Sequence, residues 1–342
     1  MLLALETSCD ETAAAVLTSD GAVLSSEVAS QIEIHRAYGG VVPEVASRNH
    51  ILHMQLLAES ALRSAGITLP QVEAFAATSG PGLVSSLLIG STFAKALALA
   101  EGKPFLSINH LEGHLLSPFM EGPAEQTLED IPAHVALVVS GGHTMLLRVE
   151  GAGRYHLLGK TRDDAAGEAF DKVAKMLGLP YPGGPEIDRR AQHGRRDAYE
   201  FPRSMMERGN YEFSFSGLKT AVLYLLAKVD RSQEATMNDL CASFQEAVVE
   251  VLIEKTIDAA RRHRQQRVAV SGGVSCNRRL RERFTERCRQ EKLELQLTPN
   301  RYTTDNAAMI GFAAVHRWRK GYHSPLEVDV NPNLSLVDSS PS

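Results

Sequence analysis

The sequence has few cysteines, no long hydrophobic run and no basic N-terminal segment. Its four cysteines form no CxxC pair and show no disulfide-framework spacing, so we expect a reducing, cytoplasmic location. The longest apolar stretch, residues 85–100, is interrupted by Ser91, Thr92 and Lys95, which predicts a buried helix rather than a membrane span. The N-terminus lacks the basic start of a signal peptide. No membrane association is expected.

An excess of positive charge is also missing. The net charge of −5 argues against a dedicated nucleic-acid binder. The average hides a local excess, because residues 261–289 contain ten arginines and only two acids. Such a run is most often a solvated helix face, but it also fits a footprint for phosphates. By itself the run does not decide between these two interpretations.

Two segments repeat the same local plan, a tight polar turn between two apolar strands. Residues 2–17 predict a hairpin around Thr7–Thr12, and residues 133–150 predict a second hairpin around Ser140–Thr144. Converging backbone amides in such turns can form a nest for an anion such as phosphate. Two similar hairpins about 130 residues apart suggest a duplicated domain with a cleft between its halves. Each turn alone would be weak evidence.

A third glycine turn has a different context. Strand 267–270 precedes Gly272–Gly273 and a helix from about Asn277, which would direct a helix N-terminus at a ligand. No GxxxxGK[ST] motif occurs and no strand precedes GxGxxG, so Walker and Rossmann sites are excluded. Apolar spacing also predicts helices at 85–100 and 239–262, the latter with a basic end. The Gly/Pro-rich segment 177–188 predicts an ordered loop.

The histidine pair in NHLEGH raises the question of a metal site. On a helix, His110 and His114 share one face and can reach one metal ion. Zinc proteases place glutamate directly after the first histidine, whereas Leu111 stands there and Glu112 points to the opposite side. A protease is therefore disfavoured. Asp305, expected in the first turn of a helix that Thr303 or Thr304 can cap, is a possible third ligand, although helix capping and dipole complementarity also explain an acid there.

Several motifs together are similar to one family, TsaD, the tRNA adenosine threonylcarbamoyltransferases. The similarity runs in the family's order from about residue 2 to residue 320. The motifs are ETSCDET (6–12), NHLEGH (109–114), SGGHT (140–144), DDAAGEAFDKVAKMLGLPYPGGP (163–185), FSFSGLKTAV (213–222), SGGVSCNRRLR (271–281) and TTDNAAMI (303–310).

The resemblance implies an α/β fold of the actin/Hsp70/sugar-kinase-like (ASKHA) class, with two duplicated lobes around a nucleotide cleft. We expect an N-terminal lobe at 1–130, a C-terminal lobe at 131–325 and an extended tail at 326–342. The implied reaction transfers the threonylcarbamoyl group from threonylcarbamoyl-AMP to the exocyclic amine of adenosine 37 in tRNAs that read ANN codons, releasing AMP. ATP, ADP or AMP can also occupy such a cleft.

The resemblance also implies roles for individual residues. His110, His114 and Asp305 become ligands of one divalent metal ion per subunit, iron or zinc, and this donor set does not distinguish them. Asp10 and Glu11 match acids of the family's first motif, without a defined role. Residues that correspond to the substrate site are Val138, Val139, Ser140, Gly141, Gly142, Asp171, Gly184, Asp188 and Asn277.

The chain departs from the family pattern at a few positions. Archaeal-type members carry a metal-ligating tyrosine where this chain has Val138, so water or substrate should fill that coordination position. Cys276 replaces the commoner alanine, and Ala4 stands where glycine is frequent. SGGHT and YPGGP are typical of bacterial members. Cys9 and Cys276 lie in site motifs, where small-residue packing is the expected role.

Partners are implied as well. We expect tRNA, bound in part by Arg278, Arg279 and Arg281, together with a small inactive TsaB-like paralogue in a heterodimer and a TsaE-like P-loop ATPase. The paralogue is expected to contact residues 30–65, whose apolar residues equally suit an internal core.

Two other functional classes remain open. A small-molecule kinase or ATPase of the same fold would need no histidine pair. A non-enzymatic ATP-dependent chaperone or regulatory subunit is also compatible, because fold does not determine chemistry.

Overall fold

The structure is a computed structural model that describes residues 1–121 and 131–337. Its strands are β1 (Leu2–Glu6), β2 (Glu11–Leu17), β3 (Val23–Ser30), β4 (Ala74–Gly80), β5 (Phe105–Asn109), β6 (His134–Val139), β7 (Thr144–Gly151), β8 (Arg154–Lys160), β9 (Arg267–Ser271) and β10 (Glu294–Leu297). Its α-helices are α1 (Ile32–Arg36), α2 (Pro43–Ser64), α3 (Val84–Glu101), α4 (His110–Leu116), α5 (Ala166–Met176), α6 (Gly183–Ala191), α7 (Ser216–Leu226), α8 (Glu234–Arg262), α9 (Arg278–Glu291) and α10 (Ala307–Arg319).

The strands form two five-stranded sheets with the same connectivity. One sheet has the order β3-β2-β1-β4-β5 and the other has the order β8-β7-β6-β9-β10. In the first sheet β1 is antiparallel to β2 and parallel to β4. In the second sheet β6 is likewise antiparallel to β7 and parallel to β9. The central strands β1 and β6 are buried along their whole length, as their nearly continuous apolar sequence predicts. The duplication predicted from the two hairpins is confirmed.

The chain divides into two compact units. Unit 1 comprises Met1–Ile131, Gly151–Tyr155 and the segment that begins at Pro299, and unit 2 comprises Pro132–Glu150 and His156–Thr298. The expected second lobe, 131–325, therefore ends too late. The physical reason is α10, whose buried residues from Ala307 to His316 pack on β1, β2 and α4 of unit 1.

The segment expected to be an extended tail, 326–342, also belongs to unit 1 as far as it is described. Leu326 and Val328 pack against the unit 1 core. The Asn331 amide donates to the Ser79 carbonyl at 2.8 Å, and Leu336 is buried. Residues 338–342 lie outside the described part of the chain.

The predicted helices at 85–100 and 239–262 are confirmed as α3 and α8. The loop predicted at 177–188 is wrong in its second half, because α6 begins at Gly183. Glycine weakens a helix, but packing requires Gly183, since a Cβ there would lie 2.3 Å from the Ala174 Cβ. Pro185 lies in the first turn of α6, where a missing amide proton is tolerated.

One helix, α3, is long and apolar enough to pass a length-and-composition test for a membrane span. In unit 1 this helix packs against β4, β1 and α2. Leu87, Gly90, Ala94 and Ala98 lie on its buried side. The interpretation of this stretch as a core helix is consistent with that packing.

Candidate functional site

The short helix α4 presents the histidine pair. It starts directly after β5, where the Asn109 side chain caps it by accepting the Leu111 amide at 2.9 Å. All seven of its residues are buried. His110 and His114 lie on one face with ring centroids 4.8 Å apart and planes at 86°. The predicted helical arrangement of the pair is confirmed.

Asp305 lies beside both imidazoles. Its Oδ1 is 3.0 Å from His114 Nε2 and 3.5 Å from His110 Nε2, and the three ligand atoms all lie within 4.8 Å of one another. Ligand atoms of a tetrahedral zinc site, each about 2.0–2.2 Å from the ion, are about 3.3–3.6 Å apart. The residues therefore fit a metal ion, and two imidazole nitrogens with one carboxylate oxygen suit iron as well as zinc.

Helix capping does not explain Asp305. The N-cap of α10 is Asn306, whose Oδ1 accepts the Met309 amide at 2.9 Å. Thr303, one of the two caps predicted from the sequence, donates its hydroxyl to the Asn300 carbonyl instead. The expectation that Asp305 lies in the first helical turn is wrong, because it precedes the N-cap. Its carboxylate faces the two histidines.

Sequence analysis missed a carboxylate that orients His110. Glu6, at the end of β1, is fully buried, and its Oε2 lies 3.0 Å from His110 Nδ1. The Ser8 hydroxyl is 3.1 Å from the same nitrogen. A carboxylate behind a metal-bound imidazole fixes its tautomer and leaves Nε2 for the ion. The sequence signals for Glu6 were its place in the ETSCDET motif and its position at the end of an apolar strand.

The charges around His110 favour a cation. Burial on its own lowers the pKa of His110, but the carboxylates of Asp305 and Glu6 raise that pKa to about 9. His114 has no such partner on its second nitrogen, because Nδ1 is buried without a hydrogen-bond partner among the described residues. Positive charge is therefore stabilised at this point, as expected for a cation-binding centre.

The acidic turn between β1 and β2 belongs to unit 1 too. Burial and the neighbouring Asp10 raise the pKa of Glu11 well above its usual range, although the Ser30 hydroxyl opposes this. Burial raises the pKa of the Cys9 thiol, with Asp10 and Asp305 adding to the effect. A thiol in this state is a poor nucleophile. Packing therefore stays the predicted role of Cys9.

Unit 2 contains a separate pocket with a cavity volume of about 310 Å³. Glycine backbone, aspartates and one asparagine dominate its wall. The lining residues are Gly141, Gly167, Phe170, Asp171, Gly184, Pro185, Asp188, Arg189, Gln192, Gly273, Val274, Cys276 and Asn277. Five of the nine residues expected to bind substrate are therefore brought together here.

The other four expected substrate residues lie outside that lining. The side chains of Val138 and Val139 are fully buried in β6. The Ser140 amide donates to the His143 carbonyl at 2.8 Å, so it is already satisfied. Gly142 is exposed and has space for a Cβ, as has Gly141. The expected phosphate nest is thus reduced to the Gly141 and Gly142 amides.

The two pocket aspartates differ in their surroundings. Asp171 Oδ1 accepts the Gly183 amide at 2.7 Å and so holds the start of α6. Burial raises the pKa of Asp188, opposed by the Arg278 amide. Asp188 Oδ1 is buried without a partner in hydrogen-bond geometry among the described residues. A ligand hydroxyl could satisfy this oxygen.

Asn277 lines the pocket, but its side chain is engaged in holding α9. Its Oδ1 accepts the Leu280 amide at 2.9 Å as the N-cap, and its Nδ2 donates to Gln245 Oε1 at 2.6 Å. The predicted helix start at about residue 277 is confirmed. The expected base or ribose contact of Asn277 would have to compete with these two bonds.

The arginine run is mostly paired within the protein. Arg281 donates to the carbonyls of Ser275 and Thr298 at 2.7 and 2.6 Å, and Arg279 pairs with Glu246 at 2.7 Å. Arg278 is more than half exposed, with a single ion pair to Glu282 at 3.3 Å. Of the ten arginines, those with an ion pair or a carbonyl partner are Arg261, Arg262, Arg267, Arg278, Arg279, Arg281, Arg283 and Arg287.

Comparison with known proteins identifies close relatives. Residues 22–312 match the family model described as TsaD, tRNA N6-adenosine threonylcarbamoyltransferase. The curated protein of that name from Caldicellulosiruptor saccharolyticus is 48% identical over 338 residues, which cover 98% of each chain. The protein of the same name from Anaeromyxobacter sp. is 49% identical over 336 residues, covering 98% of this chain and 99% of the relative.

Solved structures with little sequence identity share the fold. HypF from T. kodakarensis superposes with a TM-score of 0.61 at 13% identity, covering 94% of this chain and 48% of HypF. Component A of the (R)-2-hydroxyglutaryl-CoA dehydratase from Acidaminococcus fermentans gives a TM-score of 0.53 at 14% identity, covering 92% and 97%. The fold class is therefore α/β, two-lobed and of the actin/Hsp70/sugar-kinase type, as the sequence predicted.

Proposed function

The chain belongs to the TsaD family of tRNA N6-adenosine threonylcarbamoyltransferases, and from that membership we propose that it transfers the threonylcarbamoyl group of threonylcarbamoyl-AMP to adenosine 37 of tRNA. The observation that carries the proposal is the convergence of His110, His114 and Asp305. A simple kinase of this fold has no need of such a donor set. The tRNAs that read ANN codons are the proposed substrates.

The proposed reaction needs no covalent enzyme intermediate. The exocyclic nitrogen of adenosine attacks the carbamoyl carbon, and the bond from that carbon to the phosphate oxygen breaks. AMP leaves with the bonding electrons, and the nitrogen gives up a proton. The reactant is a mixed anhydride that is already activated, so holding the two substrates in line accounts for much of the acceleration.

Residues of unit 1 would hold the groups that act on the carbonyl of the threonylcarbamoyl group. A divalent iron or zinc ion, one per subunit, held by His110, His114 and Asp305 would supply Lewis-acid stabilisation of negative charge. Glu6 holds the His110 ring in place from behind. Asp10 and Glu11 are adjacent buried carboxyls, and burial with the neighbouring Asp10 raises the pKa of Glu11. We propose that these two carboxyls accept the proton that the amine releases.

Residues of unit 2 would bind the adenylate. A cavity of about 310 Å³ with glycines in its wall is large enough for a nucleoside monophosphate. The amides of Gly141 and Gly142 suit the phosphate, while Asp188 suits a ribose hydroxyl. Asp171 and Gly184 form the wall at the start of α6. ATP, ADP or AMP would compete for the same space.

A partner surface is proposed on α1 and α2. The buried side of α2 contains His50, Met54, Ala58 and Ala61. Its outer side exposes Ile51, Leu52 and Leu56. Ile34 in α1 and Tyr38 in the turn after α1 are exposed as well. The region 30–65 thus has apolar residues that do not serve its own core, as expected of a docking surface. We assign it to a small TsaB-like paralogue in a heterodimer.

A P-loop ATPase of the TsaE type is proposed as a further partner, and the cytoplasm as the location. Neither proposal assigns a surface of this chain. The ATPase partner is proposed from the family resemblance. The cytoplasm is proposed because the substrate is unmodified tRNA.

Reconstitution tests the proposed function. The purified chain is mixed with its two partner proteins, synthetic threonylcarbamoyl-AMP and unmodified tRNA, and the tRNA nucleosides are analysed by mass spectrometry. We expect threonylcarbamoyladenosine with the natural chain and none with His110→Ala. His156→Ala is the matched control, because His156 is a half-exposed histidine paired only with Glu150. Full product from His110→Ala would contradict the proposal.

The alternative is a small-molecule kinase or ATPase of the same fold. It would hydrolyse ATP or phosphorylate a small substrate when the purified chain alone, without partners or tRNA, is given ATP. It would also keep its full activity in His110→Ala. ATP turnover with these properties, in the absence of modified nucleoside, would favour the alternative.

A further inference from the structure

A buried carboxylate lies between the two metal histidines and faces away from them. Glu112 is only 2% exposed. Its Oε1 accepts the Tyr155 hydroxyl at 2.9 Å, and its Oε2 lies 2.7 Å from Arg317 Nη2. A carboxylate removed from water is costly unless it is paired and hydrogen-bonded. Oε1 is hydrogen-bonded, whereas Oε2 has the charge of Arg317 beside it but no partner in hydrogen-bond geometry among the described residues.

The helix that carries Glu112 cannot set its own orientation. With seven residues, α4 is shorter than helices that are stable alone, so its neighbours determine how it is rotated. Its closest neighbour is α10, since a Cβ at Gly113 would lie 2.9 Å from Ile310 Cδ1 and 3.1 Å from Met309 Cγ. The third metal donor, Asp305, lies immediately before the N-cap of that same helix.

The metal geometry therefore depends on how α4 is fixed to α10. Gly113 allows the close approach of the two helices, and Glu112 with Arg317 connects them through an ion pair. Rotation of α4 about its axis would move His110 and His114 relative to Asp305. Arg317 is partly exposed, whereas Glu112 is buried, so Glu112 is the more tightly enclosed partner of the pair.

Tyr155 completes the arrangement. It is 5% exposed, and burial together with the adjacent Glu112 raises the pKa of its phenol well above the usual range. The phenol therefore stays protonated and donates to Glu112. Tyr155 belongs to the Gly151–Tyr155 segment of unit 1, which lies at the turn between β7 and β8.

We propose that Glu112, held by Tyr155 and Arg317, is a positioning residue that fixes the rotation of α4 so that both histidine Nε2 atoms converge with Asp305. The inference rests on the proposed function only in that the three donors hold a metal ion. Glu112 has no part in contacting substrate.

Cobalt(II) binding to the full-length chain tests the inference, because the visible d–d bands of cobalt report ligand geometry. Affinity is measured by competition with a chromophoric chelator at a temperature well below the unfolding transition. We expect Glu112→Gln to bind cobalt about 10- to 100-fold more weakly, as for other residues that orient metal ligands, with altered d–d bands. Tyr155→Phe removes only one hydroxyl and should give a smaller shift in the same direction.

The control is Glu250→Gln, which breaks a more exposed pair of similar length, with Arg203 at 2.8 Å, in unit 2. This variant should bind cobalt with unchanged affinity and spectrum. If Glu112→Gln and Tyr155→Phe lower only the melting temperature while affinity and spectrum stay unchanged, the positioning role is overturned. Should Glu112→Gln fail to fold, Tyr155→Phe decides alone. Unchanged cobalt binding in His110→Ala would instead reject the metal site itself.

Discussion

Glu6 Oε2 lies 3.0 Å from His110 Nδ1, although the two residues are 104 positions apart in the chain. The Thr78 hydroxyl donates to the same Glu6 oxygen at 2.5 Å, and the Ser8 amide donates to the other oxygen. Glu6 is thus held by a side chain of β4 and by a backbone amide of the turn after β1. Because Glu6 occupies Nδ1, His110 presents Nε2 to the metal donors.

We expect Glu6→Gln to weaken metal binding by about 10- to 100-fold, because the neutral amide no longer stabilises the charged centre. Ser8→Ala should have a much smaller effect, since Glu6 remains at His110 Nδ1. The measurement is zinc affinity by competition with a chelator. Equal affinities of Glu6→Gln and the natural chain would show that the carboxylate does not support His110.

Gly183 and Gly184 are neighbours with opposite tolerance for a side chain. A Cβ at Gly183 would lie 2.3 Å from the Ala174 Cβ and 2.9 Å from the Asp171 Cα, whereas a Cβ at Gly184 would have Phe170 Cβ as its nearest contact, at 4.0 Å. Gly183→Ala should therefore lower the free energy of unfolding by about 1–3 kcal/mol through overpacking.

Gly184→Ala should keep full stability but add a methyl group to the pocket wall, and so weaken AMP binding. Thermal melts and a calorimetric titration with AMP separate the two effects. Normal AMP affinity in a stable Gly184→Ala variant would argue against adenylate binding in this pocket.

The repeated sheet was predictable because its signal is local. Each hairpin contains two apolar strands and a polar turn within about twenty residues, and such strands must pair with each other. The position of α10 was not predictable in the same way. Its sequence is apolar on nearly every side, which indicates burial but not which sheet it covers.

The site shows the same limit. Spacing alone indicated that His110 and His114 could share an ion, while the role of Asp305 depended on a fold that joins residues 191 positions apart. Glu6 and Glu112 were not predicted, because an acid next to a strand or within a helix has no distinctive pattern. The ion pairs of the arginine run could not be predicted for a related reason, since the acids on α8 that pair with it are distant in sequence.

Two arginines of that run should respond differently to replacement. Arg278 is largely exposed, so Arg278→Ala should weaken tRNA binding and lower the salt dependence of log affinity by about one. Arg281 holds the carbonyls of Ser275 and Thr298, so Arg281→Ala should mainly lower the melting temperature. Filter binding over a salt titration, alongside melts, distinguishes them. An unchanged salt slope for Arg278→Ala would exclude Arg278 from the tRNA surface.

His316 should make stability depend on pH. It is 5% exposed on α10 and packs edge-on against Phe312 at 5.0 Å. Burial lowers the pKa of His316 from 6.5 to about 4, and the nearby Lys320 and Arg319 add to that effect. Below pH 6.5 the unfolded chain binds a proton that the folded chain does not, so stability falls as the pH drops towards 4.

We therefore compare the natural chain with His316→Leu, which removes the titrating group and keeps an apolar side chain of similar size. Between pH 8 and pH 5 the natural chain should lose about 2 kcal/mol more of its free energy of unfolding than the variant does. Urea denaturation at both pH values gives this difference. His134, whose pKa burial likewise lowers to about 4, is present in both proteins and cancels. Identical pH dependence of the two proteins would mean that His316 can be protonated in the folded state without cost.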